Sequence, residues 1–234
     1  MLFEEFALWV GITLASVCLV LTFARIYGKE IAIGIYAVLT VVANIIAVKL
    51  ISVDGIVAPA AVIVYSVTFL ITDFISEIYG KEAAKKAVIT GLVANIIAVL
   101  SIVIAVKMTP ASFLSKEVVE SFNTVFTYTP RIVAASLIAF IISQTHDVYA
   151  YHFLRRISKG KYMWLRNNAS TSISQLIDTT VFITIAFYGV APLLPLIVGQ
   201  YILKLLIALF DTPFLYISVK AFRKLESDVN IVQG

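Results

Sequence analysis

Seven apolar runs, each near the length of a bilayer-crossing helix, take up most of the chain. They fall at residues 6–24, 31–48, 56–78, 87–106, 132–151, 172–189 and 194–219. A helix needs roughly 20 mostly apolar residues to cross the hydrocarbon core. The pattern therefore predicts an all-α polytopic membrane bundle of seven spans. Composition agrees: of 234 residues, 61% are hydrophobic and only 14% charged, and the mean hydropathy is +0.99. A water-soluble domain cannot bury that much apolar surface. The longest connection, residues 107–131, is too short to fold alone but long enough to lie across one face. Its Thr109-Pro110 and Thr129-Pro130 steps fit helix boundaries.

Basic residues set the expected orientation. The N-terminus and the second, fourth and sixth loops carry four: Lys49, Lys107, Lys116 and Arg131. The odd loops and the C-terminus carry thirteen, and Lys204, inside the last run, completes the eighteen. Positive charge collects on the cytoplasmic side, so the N-terminus is expected outside and the C-terminus in the cytoplasm, in a multi-pass protein of the plasma membrane. The net charge of +4 thus reports topology, and no nucleic-acid partner is expected. The start, MLFEEFALWV, has Glu4 and Glu5 but no basic residue, so the first run reads as a retained helix and not a signal peptide. One cysteine, Cys18, cannot make a disulfide or a zinc site. No metal and no cofactor are expected, and no HExxH, GxSxG or phosphate-loop motif suggests an enzyme.

Polar residues inside the runs carry the functional signal. An ionisable group at the centre of a membrane helix costs about 2.5–3.5 kcal/mol on insertion scales and usually faces a cavity or a partner. Here such groups line up at helical spacing. The third run aligns Ser66, Phe69, Asp73, Ser76 and Glu77, the last three within the stretch TDFISEIYG. The fifth aligns Ser136, Phe140, Gln144, Asp147 and Tyr151; the sixth Thr171, Ser174, Gln175, Asp178 and Phe182; the seventh Gln200, Lys204 and Asp211. The second and fourth add Tyr36, Thr40 and Asn44, and Gly91 and Asn95. The first is apolar all round and should be peripheral. Stripes facing one central cavity are the economical arrangement. Polar glue between helices, worth about 0.6 kcal/mol per bond, is the alternative for Asn44, Asn95 and the hydroxyls. Glu77 is near the cytoplasmic interface, where solvation or a cap to the next loop would also explain it. Lys204 needs a counter-ion, and Asp178 on the neighbouring span lies at similar depth; substrate or proton binding could open that pair. His146 and Asp147 point about 100° apart, which favours Asp147 for the cavity and a packed or interfacial His146.

The heptapeptide VANIIAV occurs twice, at residues 42–48 and 93–99, on runs of the same direction. Transporters often contain repeats, although seven residues of this composition also recur by chance.

In order and spacing, several pieces make the chain resemble the queuosine precursor transporters, within the vitamin uptake transporter group. They are Thr72-Asp73 through Glu77-Ile78-Tyr79-Gly80, Arg131 with Ala134-Ala135-Ser136, and Gln144 with Asp147-Val148. Ala169-Ser170-Thr171 with Gln175 and Asp178, then Ala186-Phe187-Tyr188-Gly189, and Lys204 complete the match, from about residue 35 to 218. The resemblance implies a six-helix inner-membrane carrier that imports a 7-deazaguanine-type base, such as 7-cyano-7-deazaguanine, for transfer-RNA modification. It divides the chain into an extra N-terminal helix and loop at 1–30, a six-helix core at 31–222 and a cytoplasmic tail at 223–234. Ser66 stands where the family pattern would carry a proline.

A carboxylate accepts two N–H donors, amides meet the remaining polar edge, and aromatic rings stack on a base. The candidate substrate residues are accordingly Asn44, Phe69, Asp73, Glu77, Asn95, Phe140, Gln144, Asp147, Gln175 and Asp178. Lys204, Asp178, Asp211 and Arg131 are candidates for a coupling or structural ion pair. The expected partners are a purine-like small molecule and the lipid bilayer, in a size class of carrier that often forms homodimers. Two other readings stay open: the substrate-binding subunit of an energy-coupled vitamin importer, and a membrane-embedded enzyme using His146, Asp147 or Asp178.

Overall fold

Two glycine corners organise the first half of the chain. In the computed structural model, which describes residues 2–47, 49–127, 130–189 and 192–232, helix α1 (Phe3–Tyr27) turns into α2 (Lys29–Ile46) at Gly28. Helix α3 (Val62–Ile78) turns into α4 (Lys81–Lys107) at Gly80. Both glycines hold positive φ, 93° and 83°, a conformation that costs glycine little. The pentapeptide Ile-Tyr-Gly-Lys-Glu builds both corners, at residues 26–30 and 78–82. The internal repeat is thus longer than the heptapeptide, and its copies lead the same kind of helical hairpin from corner to far end.

Between α2 and α3 lies a feature absent from the sequence expectation. Strands β1 (Leu50–Val53) and β2 (Ile56–Pro59) pair antiparallel around Asp54-Gly55, both with positive φ, as a two-residue hairpin turn requires. The third apolar run therefore starts as a strand, and α3 begins at Val62 instead of residue 56. The long connection carries α5 (Lys116–Thr127), followed by α6 (Pro130–Ile157), α7 (Met163–Phe187) and α8 (Leu193–Val232). Helix α7 starts nine residues before the expected span at 172–189, because Arg166 and Asn167 are buried within it.

The long helices alternate in direction. The Phe3 amide donates to Asp54 Oδ2 at 3.1 Å, which sets the N-terminus beside the β-hairpin. The Tyr79 hydroxyl donates to the Ala24 carbonyl at 3.3 Å and ties the two corners together. One end of the bundle, the hairpin end, thus carries the N-terminus, β1–β2 and α5. The opposite, corner end carries Gly28, Gly80 and the α6–α7 connection.

Helix α1 buries Phe6, Val10, Leu14, Val17, Leu21 and Ala24, spaced by three or four residues, mainly against α8. Its hydroxyls bond only backwards within the helix, Thr13 to Trp9 O and Ser16 to Ile12 O, both at 2.8 Å. On α4 the outer face exposes Ile89, Val93, Ile96, Ile97, Leu100 and Ile104. Among the described residues, Lys29–Ile46, Lys81–Lys107 and Leu193–Lys220 are long and apolar enough to cross a bilayer, with mean hydropathies of 1.7, 2.6 and 2.1. An apolar exterior around a polar interior marks a helical membrane protein.

In lipid, helices associate through close packing and not through hydrophobic exclusion. Gly91 shows this on α4: a Cβ there would sit 2.8 Å from the Tyr36 ring and 3.2 Å from that of Phe140. Gly91→Leu should therefore lower thermal stability in detergent by about 1–3 kcal/mol, the usual cost of overpacking. An unchanged melting curve would mean that α2, α4 and α6 do not meet at this point.

Candidate functional site

Small residues near the hairpin end leave a small pocket that opens to the surface. Ala43 and Asn44 of α2 and Ala47 at its C-terminal cap line it, with Pro59 of β2 and Ala61, Val62 and Tyr65 at the start of α3. Ser136 and Ala139 of α6, Asp178 and Phe182 of α7, and Gln200 and Lys204 of α8 complete the wall. The peripheral α1 contributes nothing, and α4 stands behind α2.

Asp178 and Lys204 form the charged part of this wall. Lys204 Nζ donates to Asp178 Oδ2 at 2.6 Å, and the hydroxyls of Tyr65 and Ser143 donate to Oδ1 at 2.7 and 3.0 Å. The ammonium also lies 5.2 Å from the centre of the Tyr65 ring. Both charged side chains are almost wholly buried, so each depends on the other for compensation. Across the pocket, Asn44 accepts a short hydrogen bond from Ser136 and donates to Asn95 Oδ1. Asn95 Nδ2 then donates to Thr40 Oγ1 at 3.0 Å and Gly91 O at 2.8 Å. Asn95 therefore holds Asn44 in place from behind the wall, and the two copies of the repeat meet through this pair.

Below the pocket a polar seam continues toward the corner end. Helices α3 and α6 run parallel, with α7 antiparallel to both, so their stripes meet in steps. Gln144 Nε2 donates to Thr68 Oγ1 at 3.2 Å, Thr72 Oγ1 lies 3.5 Å from Asp147 Oδ2, and Thr171 donates to Asp73 Oδ2 at 3.2 Å. From Tyr65 to Glu77 this file is about 18 Å long at about 1.5 Å per residue. At its end Glu77 Oε2 accepts from Arg166 at 2.8 Å and from the Tyr151 hydroxyl at 3.1 Å, with Arg155 at 3.7 Å.

Of the residues singled out by sequence, Asn44, Asp178 and Lys204 lie on the pocket wall. Asp73, Gln144, Asp147 and Gln175 are buried beneath it, and Glu77 closes the far end. Phe69 packs edge-on to Tyr65 at 5.9 Å and Phe140 tilts against Tyr36 at 6.3 Å, both off the wall. Asp211 accepts from Asn167 at 3.3 Å. Arg131 is remote from these acids: it donates to the carbonyls of Ile185 at 2.6 Å and Tyr188 at 2.8 Å, capping the end of α7. His146 is half-buried with Nδ1 2.8 Å from Ser174 Oγ. Tyr65, Ser143 and Arg166 were not among the candidates. Tyr65 could have been found as the turn before Phe69 on the α3 stripe, whereas Arg166 looks like one more loop cation.

Residues 59–218 match the family described as "Putative vitamin uptake transporter". A Bacillus subtilis (strain 168) protein named "Probable queuosine precursor transporter" is 34% identical over 217 residues, covering 91% of this chain and 93% of that protein. The chain belongs to the queuosine precursor transporter family. A family relative from Haemophilus influenzae, also named "Probable queuosine precursor transporter", is 32% identical over 120 residues, 51% of this chain and 48% of its own. The Escherichia coli (strain K12) "Queuosine precursor transporter" is 28% identical over 120 residues, 51% of each chain. No solved structure is significantly similar to the chain. These names point to transport and not catalysis. The family match takes in every pocket-lining residue except those of α2.

Proposed function

We propose that this membrane protein imports a queuosine precursor, a 7-deazaguanine-type base such as 7-cyano-7-deazaguanine, by alternating access across seven spans. The Asp178–Lys204 pair beside the pocket carries the reading. A guanine-like edge sets two N–H donors beside a carbonyl acceptor. Asp178 can accept the donors while Lys204 swings from the carboxylate to the carbonyl, so the base enters the ion pair without leaving either charge unpaired. Tyr65 and Phe182 offer ring faces for stacking. Gln200 Oε1, which has no partner, offers a further acceptor. With the thirteen basic residues of the odd loops and C-terminus in the cytoplasm, the pocket opens to the outside, as uptake requires, and the Glu77 network closes the inside.

A thermal-shift series on the purified protein tests this. A bound deazaguanine at 100 times its Kd should stabilise the protein by about 2.7 kcal/mol. Adenine, which reverses the donor and acceptor at that edge, should not. No shift with any deazaguanine or guanine would reject the substrate class. Uptake by the protein alone in liposomes supports a self-sufficient carrier; binding without uptake would favour the subunit of an energy-coupled importer.

A further inference from the structure

We propose that Asp73 and Asp147 form a proton-binding site beneath the pocket, through which proton entry drives uptake. The inference rests on the transport reading above and adds the energy source to it.

Asp73 on α3 and Asp147 on α6 are 1% and 0% exposed. Asp73 Oδ2 accepts from Thr171 at 3.2 Å, and Asp147 has Thr72 at 3.5 Å with the Ser170 and Ser174 hydroxyls beside it; Oδ1 of each carboxyl has no close partner. Neither has a cation within ion-pair distance, and the Arg166 guanidinium acts on Asp73 only from further off. Among the described residues the ion pairs are Lys85–Glu82, Arg155 and Arg166 with Glu77, and Lys204–Asp178. A carboxylate buried without a counter-charge costs several kcal/mol. Two on one seam, with Asp211 of α8 also within electrostatic reach of Asp73, cost more. A bound proton removes that charge.

A second observation lies beside the acids. Gln175 is fully buried, and neither its amide nitrogen nor its oxygen has a partner. It stands one turn from Thr171 and three residues from Asp178 on the same face of α7, between the acids and the pocket. Gln144 Oε1, one turn before Asp147, is also unpartnered. Buried amides with unused groups are costly, and here they continue the route from the pocket to the acids. Of the other ionisable groups around the seam, Glu77 of α3 binds Arg166 of α7 and Tyr151 of α6, His146 of α6 meets Ser174, and Lys204 of α8 holds Asp178, whereas the Tyr36 hydroxyl of α2 and Oδ2 of Asp211 on α8 have no hydrogen-bond partner.

In the coupled step a proton from the outside water adds to a carboxylate of the pair, forming one O–H bond. With the corner end open, the same bond breaks and the proton leaves to the inside water. One proton and one base cross per cycle, and no other reactant is needed.

Two measurements test this. Infrared difference spectra of purified protein at neutral pH should show a protonated carboxylic-acid band that Asp147→Asn or Asp73→Asn removes or weakens. A spectrum unchanged in both variants overturns the site. In proteoliposomes, an acid-outside gradient should raise base accumulation about tenfold per pH unit, the ratio that one coupled proton can support. Asp147→Asn should bring that ratio to about one, whereas Asp147→Glu should keep it. Accumulation driven by sodium in place of protons, or a gradient response untouched in Asp147→Asn, overturns the proposal. No uptake of any base by the wild-type protein, with the infrared band intact, would support the proton site and reject the substrate assignment instead.

Discussion

Asp178→Asn should weaken deazaguanine binding by a hundredfold or more and destabilise the empty protein at the same time. Both effects follow from one geometry. Asp178 takes hydrogen bonds from Lys204, Tyr65 and Ser143, and Lys204 is 1% exposed. Removing one partner of such a pair strands a buried charge, at about 3–5 kcal/mol. The affinity loss has a separate source: two hydrogen bonds from the base to a charged carboxylate, at about 1.5–3 kcal/mol each, are about a hundredfold or more at 1.4 kcal/mol per factor of ten. The double variant Asp178→Asn, Lys204→Met separates the two effects. It leaves no stranded ammonium, so the melting temperature should recover toward wild type while binding stays lost. Equilibrium binding and melting curves on the three proteins in the same detergent would check this. Wild-type affinity in Asp178→Asn would remove the pair from the site. Recovered binding in the double variant would show that the pair serves stability alone.

Sequence made some of this legible and hid the rest, for physical reasons. Period reports which residues share a helix face, so the stripes on α3, α6, α7 and α8 could be drawn from spacing. Depth follows from counting along antiparallel helices, which placed Lys204 level with Asp178. Partner choice does not follow from period. Asp73, Asp147 and Asp178 look alike in sequence, yet one lies against a lysine and two against hydroxyls. The pocket depends on where alanines of α2, α6 and the start of α3 fall together, which no single helix encodes. Arg166 was hidden because a cation beside a basic loop reads as topology, whereas here Glu77 draws it inside the bundle. The β-hairpin was hidden because its strands are as apolar as the helix that follows; only Asp54-Gly55 marks the turn. The Ile-Tyr-Gly-Lys-Glu corners stand in the sequence, but a glycine in a short loop is compatible with many turns, so the pentapeptide alone does not specify a helical hairpin.

Arg166→Met should unlock the corner end. There Glu77 of α3 is tied to α7 through Arg166 and to α6 through Tyr151, and the Arg155 guanidinium also donates to the Ser76 carbonyl at 3.0 Å. These bonds join the helices whose separation would open the seam to the inside. Without Arg166, Glu77 loses its nearest cation and keeps the Tyr151 hydroxyl at 3.1 Å and the looser approach of Arg155 at 3.7 Å. A loss of about 1.4 kcal/mol from the closed state raises the open population tenfold, well below the 3–5 kcal/mol that breaking a buried pair can cost. Ser76 is a suitable reporter, because it is 1% exposed and its hydroxyl has no partner, so Ser76→Cys changes little. In a Cys18→Ser background, a membrane-impermeant thiol reagent applied from the inside should label Cys at this position at least about tenfold faster when Arg166 is Met. Applied from the outside it should label neither protein. Equal inside rates would mean that the Glu77 network is not the closure. Faster labelling from the outside would invert the proposed orientation and turn the pocket to the cytoplasm.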